Sequence, residues 1–175
     1  MTKKEERTES AVRKGYEAFA NSFNCCQSTL AGLMREFLPD DPCMEGILAC
    51  AVPLPGGAVR GETCGAYSGA LMFFGRLYHQ DNTTTPYKID PRRLKVRGYG
   101  PATEYGDRFV EKLGSSRCIE IHPTIVGKAY DLSNSKEMMQ FYMNGAKDGC
   151  QKVVETGIRL VCDLIMDDDG NIIGR

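Results

Sequence analysis

Cys64 is the residue of this chain best placed for chemistry. It lies in the segment 61–66, where a glycine-rich loop ends, Thr63 supplies a capping residue and a long apolar helix is predicted to begin on the cysteine itself. A helix N-terminus carries roughly half a positive charge and unpaired N–H groups, which favour a thiolate. We therefore expect a depressed pKa and a reactive thiol at Cys64. The alternative is a half-buried cysteine that only packs.

The other cysteines strengthen a redox or metal interpretation. The chain has eight: Cys25, Cys26, Cys43, Cys50, Cys64, Cys118, Cys150 and Cys162. Such a number in a reducing compartment suggests redox or metal use, whereas the 42 % apolar composition and the lack of a signal peptide disfavour a secreted disulfide scaffold. The sequence contains no CxxC pair, so thioredoxin-like, zinc-ribbon and c-type haem motifs are absent. Redox chemistry must then use distant cysteines.

Adjacent cysteines on a helix point about 100° apart, so Cys25 and Cys26 are expected to have different roles. Cys26 lies on the apolar stripe of its predicted helix and belongs to the core. Cys25 falls beside that stripe in the first turn after Asn24, next to a helix N-terminus as Cys64 is. We predict that Cys25 and Cys64 form the reactive pair.

Cys43 and Cys50 are seven residues apart, roughly 10 Å along a helix, which is too far for a disulfide between them. We expect both to be packing residues. Near the C-terminus, Cys150 is centred on a buried helix face and can face a shared interior site, whereas Cys162 is rotated about 120° away from that face. Cys118 follows Arg117, whose charge favours a thiolate.

The chain has no complete motif for binding phosphate or calcium. The glycine-rich loop has Glu62 where a phosphate-binding loop needs lysine, and the acidic run at 167–171 lacks the glutamate that completes a calcium loop. The two histidines, His79 and His122, lie in no metal or nucleophile motif, and we expect a surface or capping role for each. A cysteine hydrolase therefore has little support.

The segments that must position these residues have the apolar spacing of helices. Two amphipathic helices are predicted within 12–23 and 26–37, then a short helix from Asp41 and Pro42 towards Ala51. Residues 64–78 are apolar nearly all round and predict a central, buried helix, on which Gly65 and Gly69 let a neighbour approach closely. Two further helices are predicted at 103–113 and, as the longest, around 150–164.

These elements predict an all-α fold, a single-domain bundle of about five to six helices over residues 1–175, around a buried central helix. One long polar loop is predicted at about 81–101. It carries a basic cluster that could dock an acidic partner, or that is simply solvated: Lys88, Arg92, Arg93, Lys95 and Arg97.

The net charge of −1 and the pI of about 6.1 give no reason to expect a nucleic-acid partner. No apolar stretch has the length of a membrane span, and we expect a cytoplasmic protein. The sequence identifies neither the redox partner protein nor the oligomeric state. A homo-oligomer is compatible with it.

With these positions assembled, the chain resembles the C_GCAxxG_C_C family of redox-active proteins. Residues 23–27 are similar to its first element, residues 61–71 to its central one, and Cys118 and Cys150 to its last two cysteines. The resemblance implies a redox protein in which Cys25, Cys64, Cys118 and Cys150 act together. Similar helical modules in some multihaem cytochromes are associated with an iron–sulfur cluster. The four additional cysteines and the basic loop depart from the family pattern.

Four functions compete at this stage. In thiol–disulfide exchange, Cys64 attacks or is oxidised, Cys25 resolves, and Cys118 and Cys150 form a second pair or relay, which would make the chain a thiol–disulfide oxidoreductase. In electron transfer, the same four thiolates bind an iron–sulfur cluster. Structural zinc at these thiolates is a third hypothesis, although zinc sites favour close-spaced pairs. A helical interaction protein with packing cysteines is the fourth.

Overall fold

The computed structural model describes residues 1–78 and 99–173. Over these residues the chain forms eight α-helices and no β-strand, which confirms the all-α prediction: α1 (Lys3–Ala20), α2 (Cys25–Phe37), α3 (Met44–Cys50), α4 (Gly65–Leu77), α5 (Tyr99–Leu113), α6 (Cys118–Val126), α7 (Ser135–Met143) and α8 (Ala146–Ile165). Two isolated β-bridges join Thr63 to Arg117 and Met166 to Ile172.

The structure has more helices than the predicted five to six because the sequence analysis did not predict α6 and α7. Helix α6 is short, rich in β-branched residues and contains Pro123, all of which lower helix propensity. Helix α5 begins at Tyr99, so Pro101 stands in its first turn and not in the predicted loop. The remainder of that loop, including the basic cluster at 88–97, lies outside the described residues.

Helix α2 is enclosed by α1, α4 and α8 and has nine buried residues along its length. Glycines allow the close approach of α1 and α2. A Cβ on Gly32 would lie 2.7 Å from the carbonyl oxygen of Ala11 and 3.0 Å from Cα of Gly15. On the other side of α2, a Cβ on Gly69 would meet the carbonyl oxygen of Cys26. The predicted close packing at Gly69 is therefore confirmed.

The core is divided into two clusters. The larger lies between α1, α2, α4, α5 and α8, and each fully buried leucine, isoleucine or phenylalanine in it contributes about 1.5–3 kcal/mol. The smaller lies where α6, α7 and the start of α8 meet, and consists of Cys118, Tyr130, Leu132, Phe141 and Ala146. The site described below lies between these two clusters.

Candidate functional site

A cavity of about 290 Å³ contains all four of the predicted site cysteines in its wall: Cys25, Cys64, Cys118 and Cys150. They come from the starts of α2, α4 and α6 and from the first turns of α8. All carry free thiols. The structure therefore brings together residues that are spread over most of the chain.

A short backbone pairing places Cys64 beside Cys118. Thr63 and Arg117 form an antiparallel bridge, and each cysteine donates its N–H to a carbonyl of the opposite segment, at 2.8 Å for Cys64 and 2.6 Å for Cys118. Side chains alternate along extended backbone, so the two cysteines face the interior while Thr63 and Arg117 face solvent. Diagonal neighbours in such a pairing lie roughly 7–8 Å apart between Cα atoms. At that separation, a disulfide between Cys64 and Cys118 would require the backbone to move.

Cys64 is itself the N-cap of α4, since the helix begins at Gly65 and not on the cysteine. Its thiol makes no capping hydrogen bond, although the N–H groups of Ala66 and Tyr67 lie near enough to favour the thiolate. Burial outweighs them and raises the pKa of Cys64, with the neighbouring Cys25 and Cys118 acting in the same direction. The predicted depressed pKa is therefore wrong. The reason is that only 5 % of Cys64 is exposed.

Cys25 has the most polar surroundings of the four thiols. It is the first residue of α2, whose N-cap Asn24 accepts the N–H of Gln27 in a capping box. Four backbone N–H groups favour its thiolate, those of Gly56, Gly65, Cys26 and Cys25 itself. Burial is still the largest influence and raises the pKa of Cys25. Cys25 is nevertheless only partly buried, unlike Cys64.

A left-handed turn supplies one of these N–H groups. Residues 56–59 all have positive φ, and the turn is closed by the N–H of Val59, which donates to the carbonyl of Pro55 at 2.9 Å. Left-handed backbone costs a non-glycine residue about 1–2 kcal/mol, so Ala58 and Val59 are strained. The turn places Gly56 in the cavity wall with its N–H towards Cys25.

Gly65 lets this thiol reach the start of α4. A Cβ at position 65 would clash with Sγ of Cys25 and would lie 3.1 Å from the backbone nitrogen of Cys26. The glycine that follows Cys64 is therefore required for the approach of Cys25 to the N-terminus of α4. This extends the predicted role of Gly65 in helix packing to the site itself.

His122 is a site residue that the sequence interpretation missed. It is fully buried in α6, lies in the cavity wall and places Nε2 3.3 Å from Sγ of Cys118. The N–H of Tyr130 donates to Nδ1 at 3.2 Å. A neutral ring whose Nδ1 accepts must carry its proton on Nε2, so His122 donates to the Cys118 sulfur. Burial lowers the pKa of His122 and keeps the ring neutral.

The predicted surface or capping role of His122 is therefore wrong, and His79 lies outside the described residues. The spacing of four between Cys118 and His122 was the available signal, because it places both side chains on one face of a helix. This spacing was a weak indication of a shared site because α6 was not predicted as a helix. The ring of Phe141, with its centroid 4.4 Å away, fixes the imidazole in place.

Cys118 and Cys150 also have raised pKa values. Burial raises the pKa of Cys118 to about 12, with Cys25 and Cys150 adding to the effect. The predicted assistance from Arg117 is absent because this exposed guanidinium pairs with Glu120 at 2.8 Å and with Glu62 at 3.4 Å. Burial likewise raises the pKa of Cys150, followed by the influence of Cys25 and Cys64.

The four thiols interact electrostatically in every one of their six pairings. A negative charge on one raises the pKa of its neighbours, so one thiolate disfavours a second. The four cavity thiols therefore titrate as one coupled group. A bound electrophile, a disulfide or a cationic group removes the repulsion between neighbouring thiolates.

The remaining cysteines lie elsewhere. Cys26 is buried in the core, 4.0 Å from the sulfur of Met72, as predicted. Cys162 does not line the cavity, as predicted, but it is fully buried near Thr8, so its predicted rotation away from the buried face of the helix is wrong. Cys43 and Cys50 are exposed and so are not the predicted packing residues, because α3 is short and buries only Leu48.

Among the described residues, no group of three or more His, Cys, Asp or Glu side chains is arranged to hold a metal ion. Structural zinc needs four ligands about 2.0–2.3 Å from one ion, and this arrangement gives the zinc hypothesis no support. Four thiols around a cavity do match, in number and type, the ligands of an iron–sulfur cluster.

Fold and site together define an all-α protein with four distant cysteines on one cavity. The chain belongs to the C_GCAxxG_C_C family, whose model is described as "putative redox-active protein" and matches residues 23–164. No curated protein and no solved structure matches the chain. Within residues 1–78 and 99–173, no helix combines the length and apolar character needed to cross a membrane.

Proposed function

We propose that this protein is a cytoplasmic thiol–disulfide redox protein whose cavity cysteines cycle between thiols and a disulfide. The observation that carries the proposal is the presence of Cys25, Cys64, Cys118 and Cys150 on one cavity wall, with electrostatic interaction between every pair. A reducing cytoplasm regenerates the thiols through a redox partner.

Cys25 is the attacking thiol in this proposal, because four backbone N–H groups favour its thiolate and because it is the more exposed of the pair with Cys64. This reverses the order suggested by the sequence. The Cys25 thiolate attacks one sulfur of a substrate disulfide, and the other substrate sulfur leaves as a thiolate. The product is a mixed disulfide between Cys25 and the substrate.

Cys64 then loses its proton and attacks Sγ of Cys25. The bond between Cys25 and the substrate breaks, a Cys25–Cys64 disulfide forms, and the substrate leaves as a second thiol. Two electrons and two protons have passed from the protein to the substrate. Cys118 and Cys150 form the second pair and pass electrons to this disulfide by the same exchange, with His122 donating a hydrogen bond to the Cys118 thiolate.

Limited oxidation followed by disulfide mapping tests this function. Reduced protein is treated with diamide at one equivalent per chain, alkylated and analysed by mass spectrometry. We expect a Cys25–Cys64 disulfide as the first product in the wild type, and its loss in Cys25→Ser and Cys64→Ser. The exposed Cys43 supplies a matched control, because Cys43→Ser should leave the product unchanged. Random oxidation, or no disulfide among the cavity cysteines, would contradict the proposal.

Iron–sulfur electron transfer is a second candidate, favoured by the presence of four cysteine side chains on one cavity wall. A cationic group at the cavity would offset the cost of four thiolates, which are otherwise mutually unfavourable. The ligands would be Cys25, Cys64, Cys118 and Cys150, and the cluster would supply one-electron transfer. Purification without oxygen, with an absorption spectrum and iron and sulfide analysis, decides between the candidates. Stoichiometric iron and sulfide favour the cluster, and a colourless protein favours thiol exchange.

A further inference from the structure

The cavity has two chemically different ends. Its deep end contains Cys64, Cys118 and His122, none more than 8 % exposed. The exposed Lys147 also lines the cavity and marks its mouth, whereas the exposed Tyr142 lies near enough to Cys25, Cys118 and Cys150 to interact with them electrostatically. A molecule bound beside the thiols therefore also contacts the walls of the cavity.

These walls are mainly apolar. They are formed mainly by Phe19, Phe23, Ile125, Leu132, Phe141 and Val153, and Ser22 and Asn24 add polar groups to the lining. No aspartate or glutamate of the described residues lines the cavity. The volume of about 290 Å³ lies just below the roughly 300–1,000 Å³ found for ligand pockets. The cavity therefore suits the apolar body of a small molecule.

Lys147 supplies the recognition element at the mouth. Among the described residues it is the only charged side chain on the cavity wall, and it forms neither an ion pair nor a hydrogen bond with any of them. A cation at the end of an apolar, acid-free cavity attracts an anionic group and steers its approach.

We infer that the cavity binds a small apolar dithiol, or the corresponding disulfide, that carries one anionic group, with its sulfurs at the cavity cysteines and the anion at Lys147. This inference rests on the proposed thiol–disulfide function and names the substrate class for it. A polyanionic or strongly polar disulfide is disfavoured, because the walls cannot replace the hydration of its polar groups.

In the reductive direction, one thiolate of the dithiol attacks Sγ of Cys25, and Cys64 leaves as a thiolate. The second substrate thiol then attacks the mixed disulfide, the substrate closes to its cyclic disulfide, and Cys25 leaves. Two protons and two electrons pass from the substrate to the protein. The opposite direction is the exchange described above.

Dihydrolipoate and dihydrolipoamide test the inference, because they share the same dithiol and alkyl chain and differ in charge. The protein, with the exposed Cys43 and Cys50 replaced by serine, is oxidised with diamide, freed of oxidant and mixed with each dithiol. The rate of thiol appearance is followed by quenched alkylation. We expect the anionic dithiol to react about fivefold faster than the neutral one, as for one partly screened ion pair.

Lys147→Ala should make the two rates equal, and Lys147→Glu should reverse the preference. Val153→Thr is a matched variant for the apolar wall, since it adds a hydroxyl with little change of shape. It should slow both dithiols and leave their ratio unchanged. Equal rates in the protein with Lys147, or a preference that survives Lys147→Ala, would overturn the substrate class while leaving thiol exchange intact. Failure of diamide to form a cavity disulfide would overturn both.

Discussion

Nε2 of His122 lies 3.3 Å from Sγ of Cys118, one helical turn earlier in α6, and Tyr130 holds the other ring nitrogen. This pairing gives Cys118 a hydrogen-bond donor inside an otherwise apolar environment. Burial drives the Cys118 thiol towards its neutral form, and the hydrogen bond from His122 acts in the opposite direction by favouring the thiolate.

Removal of this donor should make Cys118 less reactive. His122→Phe keeps an aromatic ring against Phe141 but cannot donate to sulfur, so the pKa of Cys118 should rise further. A hydrogen bond to a charged group contributes about 1.5–3 kcal/mol, which predicts at least about tenfold slower alkylation of Cys118. Iodoacetamide labelling with mass spectrometry gives the rate. The rate at the exposed Cys43, which is not one of the coupled cavity thiols, is the internal reference, and an unchanged Cys118 rate would mean that the histidine only packs.

The free energy of unfolding should fall as pH rises above the ordinary range of a cysteine pKa. Burial raises the pKa of Cys118 to about 12 and also raises the pKa of Cys64 and Cys150. Thiols in the unfolded chain have a pKa of about 8.5. Between that pH and the folded pKa, the unfolded state binds fewer protons, so stability that is complete below about pH 8.5 is lost as pH rises.

The loss should approach about 1.4 kcal/mol per pH unit for each such thiol. Thermal unfolding of reduced protein from about pH 7 to about pH 10 measures it. Cys118→Ala should flatten the dependence, because one of the titrating thiols is gone. Parallel curves for this variant and the wild type would show that burial of Cys118 does not govern its ionisation.

Gly65→Ala should disrupt the site, because the added Cβ clashes with Sγ of Cys25. Overpacking of this kind costs about 1–3 kcal/mol, and diamide should then give less Cys25–Cys64 disulfide. Gly75→Ala is the control on the same helix, since nothing lies within 4 Å of its added Cβ. It should stabilise the protein by about 0.5–1 kcal/mol through helix propensity. Equal effects at the two positions would remove the special role of Gly65.

Val59→Gly should stabilise the protein, because it relieves a β-branched residue at a φ of 61°. The added chain freedom of glycine offsets part of this gain, so we expect about 0.5–1 kcal/mol. Urea unfolding provides the measurement. Gly57→Ala is the opposite case within the same turn, because its Cβ would overlap the backbone of Glu62, and it should destabilise. Destabilisation by both variants would argue against strain at Val59.

The sequence by itself determined the helical class, the start of α2 just after Asn24, the close packing at Gly69 and the grouping of Cys26 with the core. These features depend on local spacing and on contacts within one turn of a helix, which residue order specifies directly. The family pattern also indicated which four cysteines belong together.

Tertiary structure decided the properties that depend on burial and on neighbours from distant segments. Cys64 has the predicted helix N-terminus beside it, yet burial raises its pKa because desolvation exceeds the contribution of nearby N–H groups. His122 reaches Cys118 only because α6 forms. Cys43 and Cys50 are exposed because, in the part of the chain that the structure describes, Leu48 is the residue of α3 that becomes buried. Solvent exposure and electric fields arise from the whole folded molecule, so no local pattern specifies them.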